Sequence, residues 1–348
     1  MSRLLEWIPP RDQLQPLGAV PALLPPVLLV ALLVSRPHRW LNLTVLPVFV
    51  AYSVYTALYY TMGAAPDDYG RASLQFTLVL RAIDAFLLAT PSFDVAFKRH
   101  PGTPTSPPWT WKRLAYAIKF ATTLRGAGWE WQVVKTRGPT TSRTAFLQRR
   151  LAKALLMYLA LDVTSTYMQS RPYFHRVVPL AALSRSEHLA NMLAACASAG
   201  LALNTVYQLV CIVCVASRAW APDECIDLFG SVLSRPCSIS CAFFLSALLH
   251  AFSSFAMART GLGSFKFFCV QPLGILLESM VRGLGGRNDG KASARSVIDA
   301  SGYAWTAGWL LYWCPLFFDE LVQAGFWEVD AAPFSVVRGV WRGEWLHV

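Results

Sequence analysis

Charged residues are scarce in this chain of 348 residues. They make up 15% of it, and acidic residues are fewer than basic ones, 20 against 31. So little charge, beside 55% hydrophobic residues and a mean hydropathy of +0.40, excludes an ordinary soluble domain. The composition favours a protein that crosses a membrane several times.

A polar segment large enough to fold into a catalytic domain of its own is also missing. The basic residues lie in the gaps between apolar runs, where membrane topology places them. The net charge of +11 therefore does not indicate nucleic-acid binding. We expect the positive charge to face anionic lipid headgroups or an anionic cosubstrate.

The eight cysteines do not form a recognisable framework. Most lie inside apolar runs, and the one Cys-x-x-Cys pair, Cys211 and Cys214, lacks a second pair of ligands. We therefore predict thiols buried in the membrane, and neither a zinc site nor a disulfide framework. The first apolar run is long and contains prolines, so we interpret it as a retained helix and not as a cleaved signal peptide.

Apolar runs close to bilayer length recur along the chain. They predict an all-α, polytopic transmembrane bundle of about seven to nine spans in a single domain, residues 1–348. The candidate spans are Leu17–Ser35, Leu41–Met62, Leu74–Ala89, Leu151–Met168, His188–Ser217, Cys241–Ala258, Lys266–Met280 and Tyr303–Phe318.

Two of these spans carry finer predictions. The run His188–Ser217 fits one long tilted helix, or two helices with a break near Gly200. In the third span, Arg81 and Asp84 are three residues apart, so we expect them to form an ion pair on one helix face.

Residues 91–150 form a long polar segment with eleven Lys and Arg residues against two acids. The excess of basic residues predicts that this loop lies on the cytoplasmic side. The same charge can attract a phosphate-bearing cosubstrate. The alternative is that these basic residues only set the orientation of the chain in the membrane.

One histidine, His250, lies near the middle of the apolar run Cys241–Ala258. Helical spacing places it on one face with Phe243, Ser246, Ala247, Ser253 and Ser254. A titratable group at membrane depth is costly unless it faces protein, water or a substrate. Two interpretations are open: a histidine satisfied by a neighbouring helix, or a general base for chemistry on a lipid-like substrate.

Six motifs follow one another between residues 36 and 327. They are Arg81–Asp84, Arg125–Trp131, Leu228–Gly230, Phe244–His250, Gln271–Ile275 followed by Glu278, and Gly302–Trp305 followed by Trp309. In this order they resemble the motifs of the fungal wax-synthase-domain acyltransferases, relatives of the membrane-bound O-acyltransferases (MBOAT-like) in terpenoid gene clusters. The Arg-Gly-x-Gly-Trp-x-Trp motif at Arg125–Trp131 is fairly specific to this family.

The resemblance implies transfer of an acyl group from acyl-CoA to a hydroxyl of a lipophilic acceptor. Acetyl-CoA is the expected cosubstrate, and a terpenoid or meroterpenoid the expected acceptor. The implied catalytic residue is His250, with Ser246 one turn earlier either orienting it or donating to the developing oxyanion. Glu278 or Asp162 could orient the other ring nitrogen.

The resemblance also implies which residues bind the cosubstrate and where in the cell the protein is located. Arg125, Trp129 and Trp131 are the candidate residues for binding acetyl-CoA, because the basic segment around them suits its phosphates. The expected location is the endoplasmic reticulum membrane, with membrane lipids and the lipophilic acceptor as partners.

The chain departs from this family just before the histidine helix. The family has a Ser-Leu-Arg-x-Phe-Trp-x-x-x-Trp-His segment there, whereas residues 231–240 contain no Trp or His. A non-catalytic membrane protein, such as a carrier, is therefore the alternative of another class. A membrane terpene cyclase ranks third, because it needs paired acids and Asp162, Glu278 and Asp319 are scattered along the sequence.

Overall fold

The computed structural model describes residues 8–35, 39–88, 109–122, 142–178, 182–218, 222, 236–284 and 292–346. This part of the chain is mostly helical, which confirms the predicted helical class. Two strands of two residues, β1 (Gln15–Pro16) and β2 (Tyr60–Thr61), pair in parallel.

The described residues form a series of α-helices. They are α1 (Ala19–Ser35), α2 (Arg39–Tyr59), α3 (Ala65–Ile83), α4 (Trp111–Thr122), α5 (Arg143–Gln169), α6 (Arg185–Ala216), α7 (Pro236–Ala258), α8 (Leu262–Leu284), α9 (Ala292–Trp313), α10 (Pro315–Gln323) and α11 (Val336–Arg342).

Within the part of the chain that the structure describes, three segments are long and apolar enough to cross a bilayer: α6, the Ile239–Ala258 part of α7 and the Leu262–Val281 part of α8. The predicted count of seven to nine spans is therefore not confirmed. The predicted span Tyr303–Phe318 is divided, because α9 ends at Trp313 and Pro315 begins a new helix.

The distribution of side chains supports a membrane environment. On α6, Leu203, Val206 and Val213 are 60 to 65% exposed, whereas the polar Thr205 and Gln208 are buried. A soluble helix would bury the apolar stripe and expose the polar one. Helices that face lipid can show the reverse.

Two compact units make up the structure. The first consists of Met1–Gly63, Gly70–Leu159 and Leu201–Ser231, and the second of Ala64–Tyr69, Ala160–Gly200 and Val232–Val348. The chain enters each unit more than once, and the single domain over residues 1–348 stays a prediction. Helix α6 runs through Gly200 without a break, so the single long helix is the correct one of the two alternatives.

Helix α4 corrects the prediction that residues 91–150 form a loop. Arg113, Ala117 and Phe120 are all buried, and the Arg113 Nε donates to the Leu33 carbonyl oxygen at 3.0 Å. Their spacing of four and three residues puts them on one face of a helix. A count of charges over the segment does not reveal that face.

The ion pair predicted in the third span is confirmed, since Arg81 Nη1 lies 3.9 Å from Asp84 Oδ2. Asp84 is also the first residue of a π-helical turn, Asp84–Leu88, that follows α3.

The second unit is built around a helical hairpin of α7 and α8. Three residues join these helices, and Arg259 among them has a φ of 60°. The hairpin lies so close to α10 that a Cβ on Gly263 would come within 2.2 Å of the Leu316 carbonyl oxygen. Buried aromatic and sulfur-containing side chains, among them Phe174, Met257 and Trp327, form the core of this unit.

Candidate active site

His250 of α7 is fixed on three sides. Its Nδ1 is hydrogen-bonded to the hydroxyl of Tyr69. Its ring stacks on Phe268 of α8 with centroids 4.0 Å apart and planes 3° apart. Phe317 of α10 meets the ring edge-on at 5.5 Å and 79°. These contacts hold the imidazole in one orientation.

The two nitrogens of the His250 ring have different surroundings. Among the described residues, Nε2 of His250 has no hydrogen-bond partner. The bond at Nδ1 can run either way, because a phenol and a neutral imidazole nitrogen can each donate or accept. One nitrogen is thus held by the protein, and the other is left for a reacting group.

Tyr69 lies near the start of α3 and is separated from His250 by 181 positions in the sequence. Its ring packs edge-on against Phe326 at 5.6 Å. Burial, with a smaller contribution from the negative charge of Glu320, raises the pKa of Tyr69 above its ordinary range. The side chain therefore acts as a neutral phenol. Sequence reasoning missed Tyr69, since nothing in its local sequence distinguishes it from a core tyrosine.

Glu320 lies on α10, one turn after Phe317, and is held by three hydrogen bonds. Thr260 Oγ1 donates to it at 2.7 Å, and the backbone N–H and hydroxyl of Ser264 donate at 3.0 and 2.6 Å. Because the Ser264 hydroxyl proton is used in this way, the Ser254 hydroxyl donates to Ser264, at 2.6 Å between oxygens. Glu320 ties α10 to the α7–α8 hairpin beside the histidine.

A cavity of about 260 Å³ lies between α7, α8 and α9. Its walls are mainly apolar and include five aromatic side chains, one of which is Phe268, the ring that stacks on His250. The polar residues Gln271, Glu278 and Thr306 complete the lining. Such a mixture suits an apolar ligand that carries a few polar groups.

Two of the motifs found in the sequence meet at this cavity. The Trp305 indole N–H donates to the Gly274 carbonyl oxygen at 3.1 Å. A Cβ on Gly274 would lie 2.7 Å from the Trp309 indole, so only glycine lets this ring pack there. The Gln-Pro-Leu-Gly-Ile segment and the Trp-rich helix therefore form one wall.

The predicted orienting residues do not bond to His250 in this structure. Ser246 is half-buried one turn before the histidine, but Tyr69 and not Ser246 holds Nδ1. Asp162 accepts a hydrogen bond from the Val337 backbone N–H at 2.9 Å, at the start of α11. Glu278 lines the cavity. The oxyanion role of Ser246 stays a prediction.

The predicted acetyl-CoA residues Arg125, Trp129 and Trp131 lie outside the described residues. Their role is likewise a prediction. Within the described ranges, no group of three or more His, Cys, Asp or Glu side chains could hold a metal ion.

A second cluster of the same residue types lies elsewhere in this unit. Asp319, the neighbour of Glu320 on α10, has Oδ1 3.2 Å from the Nε2 of His188. The same oxygen accepts a hydrogen bond from the hydroxyl of Tyr173. The Tyr173 and His188 rings meet edge-on at 6.2 Å. Here the carboxylate binds the histidine directly.

Comparison with known proteins finds two relatives that match most of the chain. Acetyltransferase ple2 of Rhodocybe pseudopiperita is 28% identical, over 92% of this chain and 95% of the relative. Acetyltransferase eriL of Hericium erinaceus is 25% identical, over 90% of this chain and 94% of the relative. No family model matches, so the wax-synthase-domain resemblance is not confirmed, and no solved structure matches. The similarity supports an acetyltransferase activity for the chain.

Proposed function

We propose that this chain is a membrane-embedded O-acetyltransferase that moves an acetyl group from acetyl-CoA to a hydroxyl of a lipophilic acceptor. The observation that carries the proposal is His250, with Nδ1 bonded inside the protein and Nε2 without a partner among the described residues. The similarity to two acetyltransferases supports the reaction class. The acceptor we propose is a terpenoid or meroterpenoid alcohol of fungal secondary metabolism, acetylated at the endoplasmic reticulum.

In the proposed reaction, Nε2 of His250 accepts the proton of the acceptor hydroxyl as its oxygen attacks the thioester carbon. A C–O bond forms and the C–S bond breaks. The proton then passes from the imidazolium to the departing thiolate, which restores neutral His250 and releases the thiol of CoA. Rigid packing of the ring between Phe268 and Phe317 keeps Nε2 in place throughout.

The cavity beside Phe268 is the proposed acceptor site. Its aromatic walls suit a rigid, apolar alcohol, and Gln271, Glu278 and Thr306 supply a few polar contacts. Ser246, one turn before His250, is the proposed donor to the developing oxyanion. Arg125, Trp129 and Trp131 are the proposed contacts for acetyl-CoA.

The proposal is tested by acetyl transfer in microsomes from cells that express this chain. Labelled acetyl-CoA is supplied with a panel of hydroxylated terpenoids, and microsomes without the chain are the control. We expect labelled ester from the wild type and none from His250→Ala at equal expression. Ester formed at the wild-type rate by His250→Ala would refute the assignment of the base.

The alternatives make different predictions in the same assay. A non-catalytic carrier forms no ester with any acceptor, and His250→Ala then changes only its stability. A terpene cyclase would depend on carboxylates and tolerate His250→Ala. The carboxylates named for it have separate surroundings: Asp162 accepts from the start of α11, Asp319 bonds Tyr173 and His188, and Glu278 lines the cavity.

A further inference from the structure

The direction of the bond between His250 and Tyr69 decides what the histidine can do. A neutral imidazole carries one proton. If Tyr69 donates to Nδ1, the proton lies on Nε2, which then cannot accept one from a substrate. If Nδ1–H donates to the phenol oxygen, Nε2 is the free base. A productive base therefore needs something that turns the Tyr69 O–H away from the ring.

Glu320 is placed to do this. It lies one helical turn from Phe317, whose ring touches His250, so both side chains are on the same face of α10. Its negative charge raises the pKa of Tyr69, a smaller effect than that of burial. A negative charge attracts the proton end of an O–H group and leaves the oxygen lone pairs facing the other way.

The carboxylate is also fixed in position. The donors Thr260 and Ser264 come from the turn between α7 and α8 and from the first turn of α8. The same hairpin carries His250. Glu320 therefore keeps its place relative to the histidine, as a residue that orients another must.

We propose that Glu320 and Tyr69 are positioning residues that set the tautomer of His250: Glu320 orients the Tyr69 O–H, and the phenol oxygen accepts from Nδ1–H. Nε2 is then the basic nitrogen. The inference rests on the proposed function and adds two residues to its machinery. The same arrangement stabilises the imidazolium formed during transfer, because its Nδ1–H faces an oxygen with a negative charge behind it.

The test uses four isosteric variants of the full chain in two matched pairs. Tyr69→Phe and Glu320→Gln remove the phenol and the charge. Tyr173→Phe and Asp319→Asn make the same changes in the second cluster, which does not touch His250. For each variant, kcat, both KM values and thermal stability are measured on purified protein in lipid.

We expect Tyr69→Phe to lower kcat by about 10- to 100-fold, the usual effect of losing a residue that orients a reactive group. Glu320→Gln lowers kcat by a smaller factor. The KM values for acetyl-CoA and acceptor stay within about twofold, because neither residue is proposed to touch a substrate. The second pair keeps the wild-type kcat and loses only stability.

The double variant Tyr69→Phe with Glu320→Gln is the most specific measurement. In this proposal Glu320 affects His250 only through Tyr69, so its charge no longer changes kcat once the phenol hydroxyl is removed. We expect kcat of the double variant to equal that of Tyr69→Phe. If the two residues contributed independently, the factors by which the single variants lower kcat would multiply in the double variant. That result would overturn the proposal.

Other outcomes are equally clear. A wild-type kcat in Tyr69→Phe, or an equal decrease in kcat in both matched pairs, overturns the inference. Neither result affects the assignment of His250 as the general base. If Tyr69→Phe does not fold, Glu320→Gln carries the test, because the glutamine oxygen still accepts from the backbone N–H and hydroxyl of Ser264, and its amide N–H can donate to the Thr260 hydroxyl. Unchanged kcat in Glu320→Gln then overturns the inference. Full activity of His250→Ala marks failure of the proposed function instead.

Discussion

The second unit contains two clusters built from one tyrosine, one histidine and one carboxylate. In the first, Tyr69 holds His250, and Glu320 bonds to hydroxyls and a backbone N–H. In the second, the carboxylate bonds to both of its partners. The two acids are adjacent residues of one short helix.

The comparison shows that residue types alone do not mark a reactive histidine. In the second cluster, the Nε2 of His188 is already bonded to Asp319, so that nitrogen is not available to a substrate. In the first cluster, the carboxylate is satisfied by other donors, and His250 keeps one nitrogen without a partner among the described residues. The hydrogen-bond partners of the carboxylate therefore distinguish the structural cluster from the candidate active site.

Gly263→Ala should have the largest effect on stability, because it forces apart the elements that build the first cluster. The new Cβ would meet the Leu316 carbonyl oxygen at 2.2 Å, and a backbone atom cannot move aside alone. We expect a loss of about 3 kcal/mol of unfolding free energy, as for overpacked sites. Thermal unfolding in lipid measures it. Gly308→Ala is the control, since nothing lies within 4 Å of its Cβ position.

His188→Ala tests the second cluster. It removes a donor from the half-buried Asp319, and we expect a stability loss of about 2 kcal/mol. The folded protein should keep the wild-type rate of acetyl transfer. Complete loss of transfer in stably folded His188→Ala would break the comparison, since it would give the second histidine the chemical role.

Phe268→Leu examines the wall shared by His250 and the cavity. The ring stack with His250 disappears, and the apolar lining is reduced. We expect kcat/KM for the acceptor to fall about fivefold, near 1 kcal/mol, with a smaller change for acetyl-CoA. Phe265→Leu is the control, because Phe265 contacts Phe244 at 6.1 Å and does not line the cavity. Equal losses in both variants would remove the argument for an acceptor site here.

Ser264→Ala should have the smallest effect. Glu320 keeps the bonds from Thr260 and from the backbone N–H of residue 264, while the Ser254 hydroxyl loses its acceptor. We expect about 1 kcal/mol less stability and a decrease in kcat of less than about threefold. Ser279→Ala is the reference, because the Ser279 hydroxyl donates to the Ile275 carbonyl oxygen within its own helix. A loss as large as that of Tyr69→Phe would mean that Ser264 acts on the reaction directly.

Several features of this molecule could be predicted from sequence because they depend on local pattern. The helical class follows from long apolar runs, and His250 was singled out because a titratable residue inside such a run is unusual. The pairing of Arg81 with Asp84 follows from helical spacing alone.

Other features depend on contacts between distant residues and could not be predicted. Tyr69 meets His250 from 181 positions away, and Glu320 reaches the site only because α10 packs on the hairpin. Helix α4 was hidden because the eleven basic residues counted over 91–150 obscure the buried face of this helix, to which Arg113 itself belongs. The single span predicted over Tyr303–Phe318 is divided, because Pro315 begins a new helix inside this apolar run.

The most direct test of the central claim is the rate of acetyl transfer by His250→Ala and His188→Ala, measured side by side at equal amounts of folded protein. The account predicts a loss of about 100-fold or more for His250→Ala, the usual contribution of a general base, and no loss for His188→Ala. Equal rates for the two variants, or a loss confined to His188→Ala, would contradict it.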